Sequence, residues 1–85
     1  MMELKNKNLC VIGLGKTGIA AANFLSRQGA RVTVTDNKPR EQLLESLKQL
    51  RADVKTRFEN SEPPSDTELV VLSPGVAIHS SFLEN

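Results

Sequence analysis

Aromatic residues are scarce in this chain of 85 residues, which contains no tryptophan, no tyrosine and only three phenylalanines. Nucleic-acid-binding domains commonly interleave basic and aromatic side chains, and no stretch of this chain does so. We therefore expect no nucleic-acid partner. No apolar run approaches the roughly 18 residues that a membrane-spanning helix needs, and the first residues lack the apolar segment of a secretory signal. The sequence thus predicts no membrane association.

Cysteine is almost absent as well, because Cys10 is the only one and no disulfide can form within the chain. It lies in an apolar run, which predicts a buried thiol in a reducing compartment, and we expect the protein to be cytoplasmic. Hydrophobic residues make up 39% of the chain and charged residues 25%. This composition and length predict one small folded domain, residues 1–85.

Lysine and arginine are missing from the last third of the chain. Residues 1–57 contain all 11 lysines and arginines and five acidic residues, a net charge of +6, whereas residues 58–85 contain five acidic residues and a net charge of −5. The asymmetry is compatible with an anion site in the first part. Composition alone favours the simpler interpretation, which is ordinary solvated surface charge.

Strand-like and helix-like patterns alternate along the sequence. Leu9–Ile12 and Leu69–Leu72 are continuous apolar runs, typical of strands buried on both faces. The patterns predict strands near 7–12, 31–36, 53–58 and 69–72, and helices near 17–28 and 40–51. Such alternation predicts an α/β fold, an open parallel sheet of order 3-2-1-4 with flanking helices.

The strand at 69–72 would form one edge of this sheet. It has no lysine or proline to protect an exposed edge, whereas the strand at the other edge carries Lys55 and Arg57. We therefore expect the sheet to be truncated before a fifth strand. We also expect that the isolated domain can self-associate through this edge.

The sequence from Gly13 to Gly18 matches the pattern G-x-G-x-x-G between a predicted strand and a predicted helix. In such a setting the first glycine makes the turn, the second lets a phosphate approach the backbone, and the third allows close packing. The free N–H groups of the first helical turn then attract an anion. Lys16 can add charge, although a solvated lysine is an equal alternative.

Two further segments end predicted strands at the same edge of the sheet. Asp36 follows Gly18 by 18 residues, where dinucleotide-binding domains place an acid that contacts the ribose. Its simpler interpretation is an acid near the start of the next helix, which complements the helix dipole. Ser73 and Gly75, separated by Pro74, follow the fourth strand and form either part of the site or a simple turn. His79 has no second metal-type ligand nearby.

These segments together resemble the N-terminal domain of the MurD family of ligases, over nearly the whole chain. The resemblance rests on three segments, VIGLGKTG (11–18), VTVTD (32–36) and LVVLSPGV (69–76). It implies a cytoplasmic, ATP-dependent amide ligase of peptidoglycan synthesis, which adds D-glutamate to UDP-MurNAc-L-alanine. In that family ATP and magnesium bind to a central domain, and we expect residues 1–85 to contain neither this nor the C-terminal domain. The chain alone is therefore expected to be inactive and to hold no cofactor.

The resemblance also implies the role of particular residues in binding UDP. Lys16 and Thr17 would hold the pyrophosphate within the turn Gly15–Gly18. The uracil and ribose would be framed by Asp36, Asn37 and Lys38, and Ser73 and Gly75 would approach the uridine. No catalytic residue and no metal ligand is predicted. The alternative function is an NAD(H)-binding Rossmann module of a dehydrogenase or a regulatory domain, because it shares the glycine pattern and the acid.

Overall fold

A computed structural model describes residues 4–60 and 62–72 of the chain. Each predicted strand is present within two residues of its predicted start. The elements in chain order are β1 (Asn8–Ile12), α1 (Lys16–Arg27), β2 (Arg31–Asp36), a 3₁₀ turn (Arg40–Gln42), α2 (Leu44–Leu47), β3 (Lys55–Phe58) and β4 (Leu69–Leu72).

The four strands form one parallel sheet of order β3-β2-β1-β4, which confirms the predicted topology. In the register of the two central strands, Leu9 lies beside Val32 and Val11 beside Val34. On the other side of β1, Ile12 lies beside Leu72. Parallel strands begin at one edge of the sheet and end at the other, so the segments that follow β1, β2 and β4 start side by side.

The hydrophobic core lies between one face of the sheet and α1. Because successive residues of a strand point to opposite faces, Leu9 and Val11 share this face, and Val32 and Val34 extend it on β2. Ile19 and Ala22 of α1 pack onto these four residues. Cys10, on the opposite face of β1, is also fully buried, as its apolar surroundings predicted.

The prediction of one continuous helix over 40–51 is wrong. The chain forms a 3₁₀ turn and then the four-residue helix α2, separated at Leu43, whose φ of −118° and ψ of 14° lie outside the helical region. The leucine spacing correctly predicts which side chains face the core, since Leu43 belongs to the core and Leu47 and Leu50 pack against it. The same spacing does not show whether the segment is one continuous helix.

Side chains of α1 explain why the segment after α2 leaves the helical path. Asn23 donates from Nδ2 to the carbonyl of Gln49 (2.8 Å) and accepts the backbone N–H of Arg51 at Oδ1 (2.9 Å). The N–H of Arg51 therefore does not bond to the carbonyl four residues earlier, as a helix would require. Ser26 adds a second contact by donating to Oδ1 of Asp53 (2.7 Å).

β4 forms an edge of the described sheet, as predicted, and it is only partly covered. Leu69 is 39% exposed and Val70 40% exposed. Its start is fixed to β1 through Glu68, whose backbone N–H donates to the carbonyl of Asn8 (2.7 Å). Across residues 4–60 and 62–72, no helix is long and apolar enough to span a membrane.

Candidate functional site

The segment Gly13–Gly18, here called the glycine turn, connects β1 to α1. Gly13 has a φ of 100°, a left-handed conformation that favours glycine. Its N–H donates to the carbonyl of Thr35 (2.8 Å), which continues the pairing of β1 with β2 beyond the last residue of β1. Leu14 is 3% exposed and belongs to the core. The first half of the glycine turn is therefore fixed to the sheet.

Gly15 is exposed, and nothing within the described chain requires glycine there. Its φ of −91° and ψ of −174° are open to any residue, and a Cβ atom built on it would meet no atom within 4 Å. The missing side chain thus leaves open space directly over the backbone. A group outside the chain can approach the backbone through that space.

The start of α1 has neither a side-chain cap nor an acidic residue in its first turn. Gly15 is the N-cap and supplies no side-chain cap, and the first intrahelical bond runs from the N–H of Ile19 to the carbonyl of Gly15 (2.9 Å). Helix geometry leaves the N–H groups before Ile19 without an intrahelical acceptor. The first turn contains no acidic residue and begins with Lys16, whose charge is unfavourable there for helix stability. Such a terminus is suited to an anion.

Asp36 connects the glycine turn to the segment that follows β2. Its Oδ2 accepts the backbone N–H of Leu14 (2.8 Å), and its Oδ1 accepts the backbone N–H of Lys38 (2.9 Å). Its own carbonyl accepts the N–H of Asn60 (3.0 Å), so the turn after β3 also packs here. The sequence pattern singled out Asp36 but not its bond to Leu14. No local signal could show that bond, because it joins residues 22 positions apart.

Seven of the nine predicted site residues lie together at the carboxyl ends of β1 and β2. Lys16 and Thr17 are exposed at the start of α1, and Asn37 and Lys38 are exposed after β2. The other three are Gly15, Gly18 and Asp36. The predicted residues Ser73 and Gly75, and likewise His79, lie outside the described residues.

A cavity of about 640 Å³ lies elsewhere, toward the amino ends of the strands. It is lined by the first residues of β1, β2 and β3 and by the loop before β4, including Asn8, Arg31, Lys55 and Thr67. Open α/β sheets bind ligands at the carboxyl ends of their strands. We therefore place the candidate site at the glycine turn and not in this cavity.

Cys10 takes no part in the site. Burial raises the pKa of its thiol, which disfavours the reactive thiolate. Within residues 4–60 and 62–72, no three side chains of histidine, cysteine, aspartate or glutamate are grouped as metal ligands. The part of the site that is described consists of backbone N–H groups, polar side chains and one internally bonded carboxylate.

The 3-2-1-4 parallel sheet, with a glycine turn that opens into a helix and an acid after the second strand, defines a domain of the Rossmann-like α/β class. Residues 7–85 match the family model described as Mur ligase MurD-like, N-terminal domain. The chain belongs to this family.

Curated relatives agree with this assignment. The chain is 45% identical to a UDP-N-acetylmuramoylalanine–D-glutamate ligase of Bdellovibrio bacteriovorus, over 87% of this chain and 17% of the relative. A ligase of the same name from Koribacter versatilis is 41% identical, over 98% of this chain and 19% of the relative. The ligase of the same name from Geotalea uraniireducens is 46% identical, over 88% of this chain and 17% of the relative. The chain thus spans less than a fifth of the length of these relatives.

Proposed function

We propose that this chain is the UDP-binding part of a longer, cytoplasmic, ATP-dependent ligase that adds D-glutamate to UDP-MurNAc-L-alanine. The family and the names of the relatives support the reaction. The observation that carries the binding role is the uncapped start of α1 beneath the open space over Gly15. ATP and magnesium would belong to other domains of the longer protein, and this chain alone would ligate nothing.

The pyrophosphate would lie over the glycine turn. The N–H groups from Gly15 to Gly18 point along the helix axis toward that position, since none has an intrahelical acceptor. A diphosphate there would accept these bonds and compensate the positive end of α1, with Lys16 adding its charge. The hydroxyl of Thr17, on the exposed surface of the same turn, would add one further donor.

The uridine would lie beside the segment after β2. Asn37 and Lys38 are exposed there and border the glycine turn through the Asp36 carboxylate. An amide and an ammonium group can donate to the carbonyl oxygens of uracil and to the ribose oxygens. Ser73 and Gly75 remain predicted contacts to the uridine.

A titration followed by NMR tests this function. We expect UDP and UDP-MurNAc-L-alanine to shift the amide signals of Gly15, Thr17, Gly18 and Lys38 in a saturable way. The Kd should be about 0.1 mM or weaker, since one domain supplies only part of the full enzyme's contacts. NADH serves as the comparison ligand. Saturable shifts with NADH and none with UDP would overturn the proposal in favour of a dinucleotide-binding module.

A further inference from the structure

The carboxylate of Asp36 is placed between two backbone turns and not simply beside a ligand. One oxygen accepts the N–H of Leu14 at 2.8 Å, and the other accepts the N–H of Lys38 at 2.9 Å. Bonds from backbone N–H groups to a carboxylate are stronger than bonds between neutral groups. The carboxylate therefore holds the glycine turn and the segment after β2 at a fixed separation.

From this geometry we propose that Asp36 is a positioning residue, which holds the glycine turn in the shape that binds phosphate. This inference rests on the proposed function and assigns a specific task to one residue within it. The side chain of Leu14 is anchored in the core, and its N–H is held by Asp36. The peptide before Gly15 is thus fixed on both sides, which presets the direction of the N–H groups that follow.

This role differs from the ribose contact that the sequence pattern suggested for Asp36. In dinucleotide-binding domains the acid at this place accepts from the ribose hydroxyls. Here each oxygen of the carboxylate already accepts one backbone N–H. The positioning role acts through these two backbone N–H groups and does not depend on a contact with the sugar, to which the exposed Asn37 and Lys38 also offer donors.

If Asp36 acted only through its charge, removing its carboxylate would have the opposite effect on the affinity for a phosphate ligand. A negative group near a bound diphosphate repels it, so neutralising Asp36 would strengthen anion binding if charge were its only influence. Loss of a positioning bond would instead weaken the binding of every phosphate ligand, including one without a sugar. The sign of the change in affinity for inorganic pyrophosphate therefore separates positioning from charge and from a ribose contact.

The experiment compares Asp36→Asn and Asp36→Ala with the unmodified 85-residue chain, using UDP and inorganic pyrophosphate as ligands. Glu59→Gln is the matched control, because Glu59 is exposed in the same corner and only its backbone N–H bonds to Lys38 (3.2 Å). Asparagine keeps the shape of aspartate but has one carbonyl oxygen, so it can accept only one of the two N–H groups. Asp36→Asn therefore still tests the proposal if Asp36→Ala fails to fold.

We expect both Asp36 variants to weaken UDP and pyrophosphate by a similar factor, roughly tenfold, as loss of a charge-assisted bond implies. The Leu14 amide signal should also shift in the ligand-free Asp36→Ala variant. Glu59→Gln should leave that signal unchanged and bind both ligands at least as well as the unmodified chain. Weakened UDP binding with unchanged or stronger pyrophosphate binding would overturn the inference and leave the proposed function standing. Failure of the unmodified chain to bind either ligand would overturn both.

Discussion

The backbone N–H of Leu14 and the carboxylate of Asp36 lie 2.8 Å apart, which joins the turn after β1 to the end of β2. A second bond between the same two segments runs from the N–H of Gly13 to the carbonyl of Thr35 (2.8 Å). These two hydrogen bonds hold the carboxyl ends of β1 and β2 together as one rigid unit. The start of α1 projects from this unit, so its direction is determined by the sheet.

Gly15→Ser should raise stability and lower affinity for UDP. The backbone of Gly15 has the extended conformation of an N-cap, and serine is a preferred N-cap residue whose oxygen accepts an N–H of the first helical turn. The free energy of unfolding should rise by about 0.5 kcal/mol. The new side chain would occupy the open space and use an N–H group that the ligand needs. Urea unfolding and NMR titration measure the two effects.

Gly29→Ala is the matched glycine control for that variant and should lower stability without changing affinity for UDP. Gly29 has a φ of +93°, and an added Cβ would lie 3.2 Å from Cγ of Lys5. We expect a loss of about 1–2 kcal/mol in stability, because alanine resists a left-handed conformation. UDP affinity of the folded protein should not change, since Gly29 lies far along the chain from the glycine turn, beyond the end of α1. Equal loss of affinity in both variants would contradict the role given to Gly15.

Asn23→Ala should destabilise the domain by about 1–2 kcal/mol, because two hydrogen bonds to the backbone of residues 49–51 are lost. These bonds replace contacts that a longer second helix would have made within itself. Urea unfolding measures the loss. Gln42→Ala is the control, since Gln42 is exposed in the 3₁₀ turn and its truncation should change stability by less than about 0.5 kcal/mol. Equal stability of the two variants would contradict the bridging role of Asn23.

Acid should destabilise the fold partly through Glu68. The backbone N–H of Asn8, and next the charge of Lys7, lower the pKa of Glu68 below its ordinary value of 4.5. Because the folded pKa is the lower one, the stabilisation is present above pH 4.5 and is lost as the pH falls through the folded pKa. Glu68→Gln should therefore flatten the dependence of the unfolding free energy on pH below 4.5. Superimposable curves for the two proteins, measured by urea unfolding, would refute this.

The edge strand should show alternating amide exchange. The carbonyl of Lys7 and the N–H of Gly13 bond to β2, so the even-numbered residues of β1 turn their backbone N–H and C=O groups toward β4. In the register that places Leu9 beside Leu69 and Val11 beside Val71, the N–H groups of Leu69 and Val71 face β1, and that of Val70 faces outward. We expect hydrogen exchange to be faster at Val70 than at Leu69 and Val71. Uniform exchange across the three residues would contradict this register.

Self-association through the same edge should slow exchange at Val70 as protein concentration rises. Sedimentation should then report a growing average mass. Val70→Lys should suppress both effects, since a lysine on an edge strand opposes pairing with another strand. A mass that stays that of a monomer at every concentration would exclude such pairing.

The sheet order and the position of the glycine turn could be predicted because they depend on short-range patterns. Apolar runs such as Leu69–Leu72 mark strands, and a glycine pattern between a strand and a helix marks the turn. The path of the chain after α2 could not be predicted, because Asn23 of a different element bonds to the backbone of Gln49 and Arg51. The partner of Asp36 could not be predicted for the same reason. Both depend on contacts between distant segments, which periodicity does not encode.

The uncapped start of α1 has a consequence for the folding equilibrium. The helix lacks a side-chain cap and carries Lys16 where an acid would be favourable, so an anion bound there would stabilise its first turn. A ligand that binds only the folded chain adds RT ln(1 + [L]/Kd) to stability, about 2.7 kcal/mol at one hundred times Kd. The diphosphate would therefore serve as the missing cap of α1. The same few N–H groups of the first helical turn would then contribute both to the stability of the fold and to the binding of the substrate.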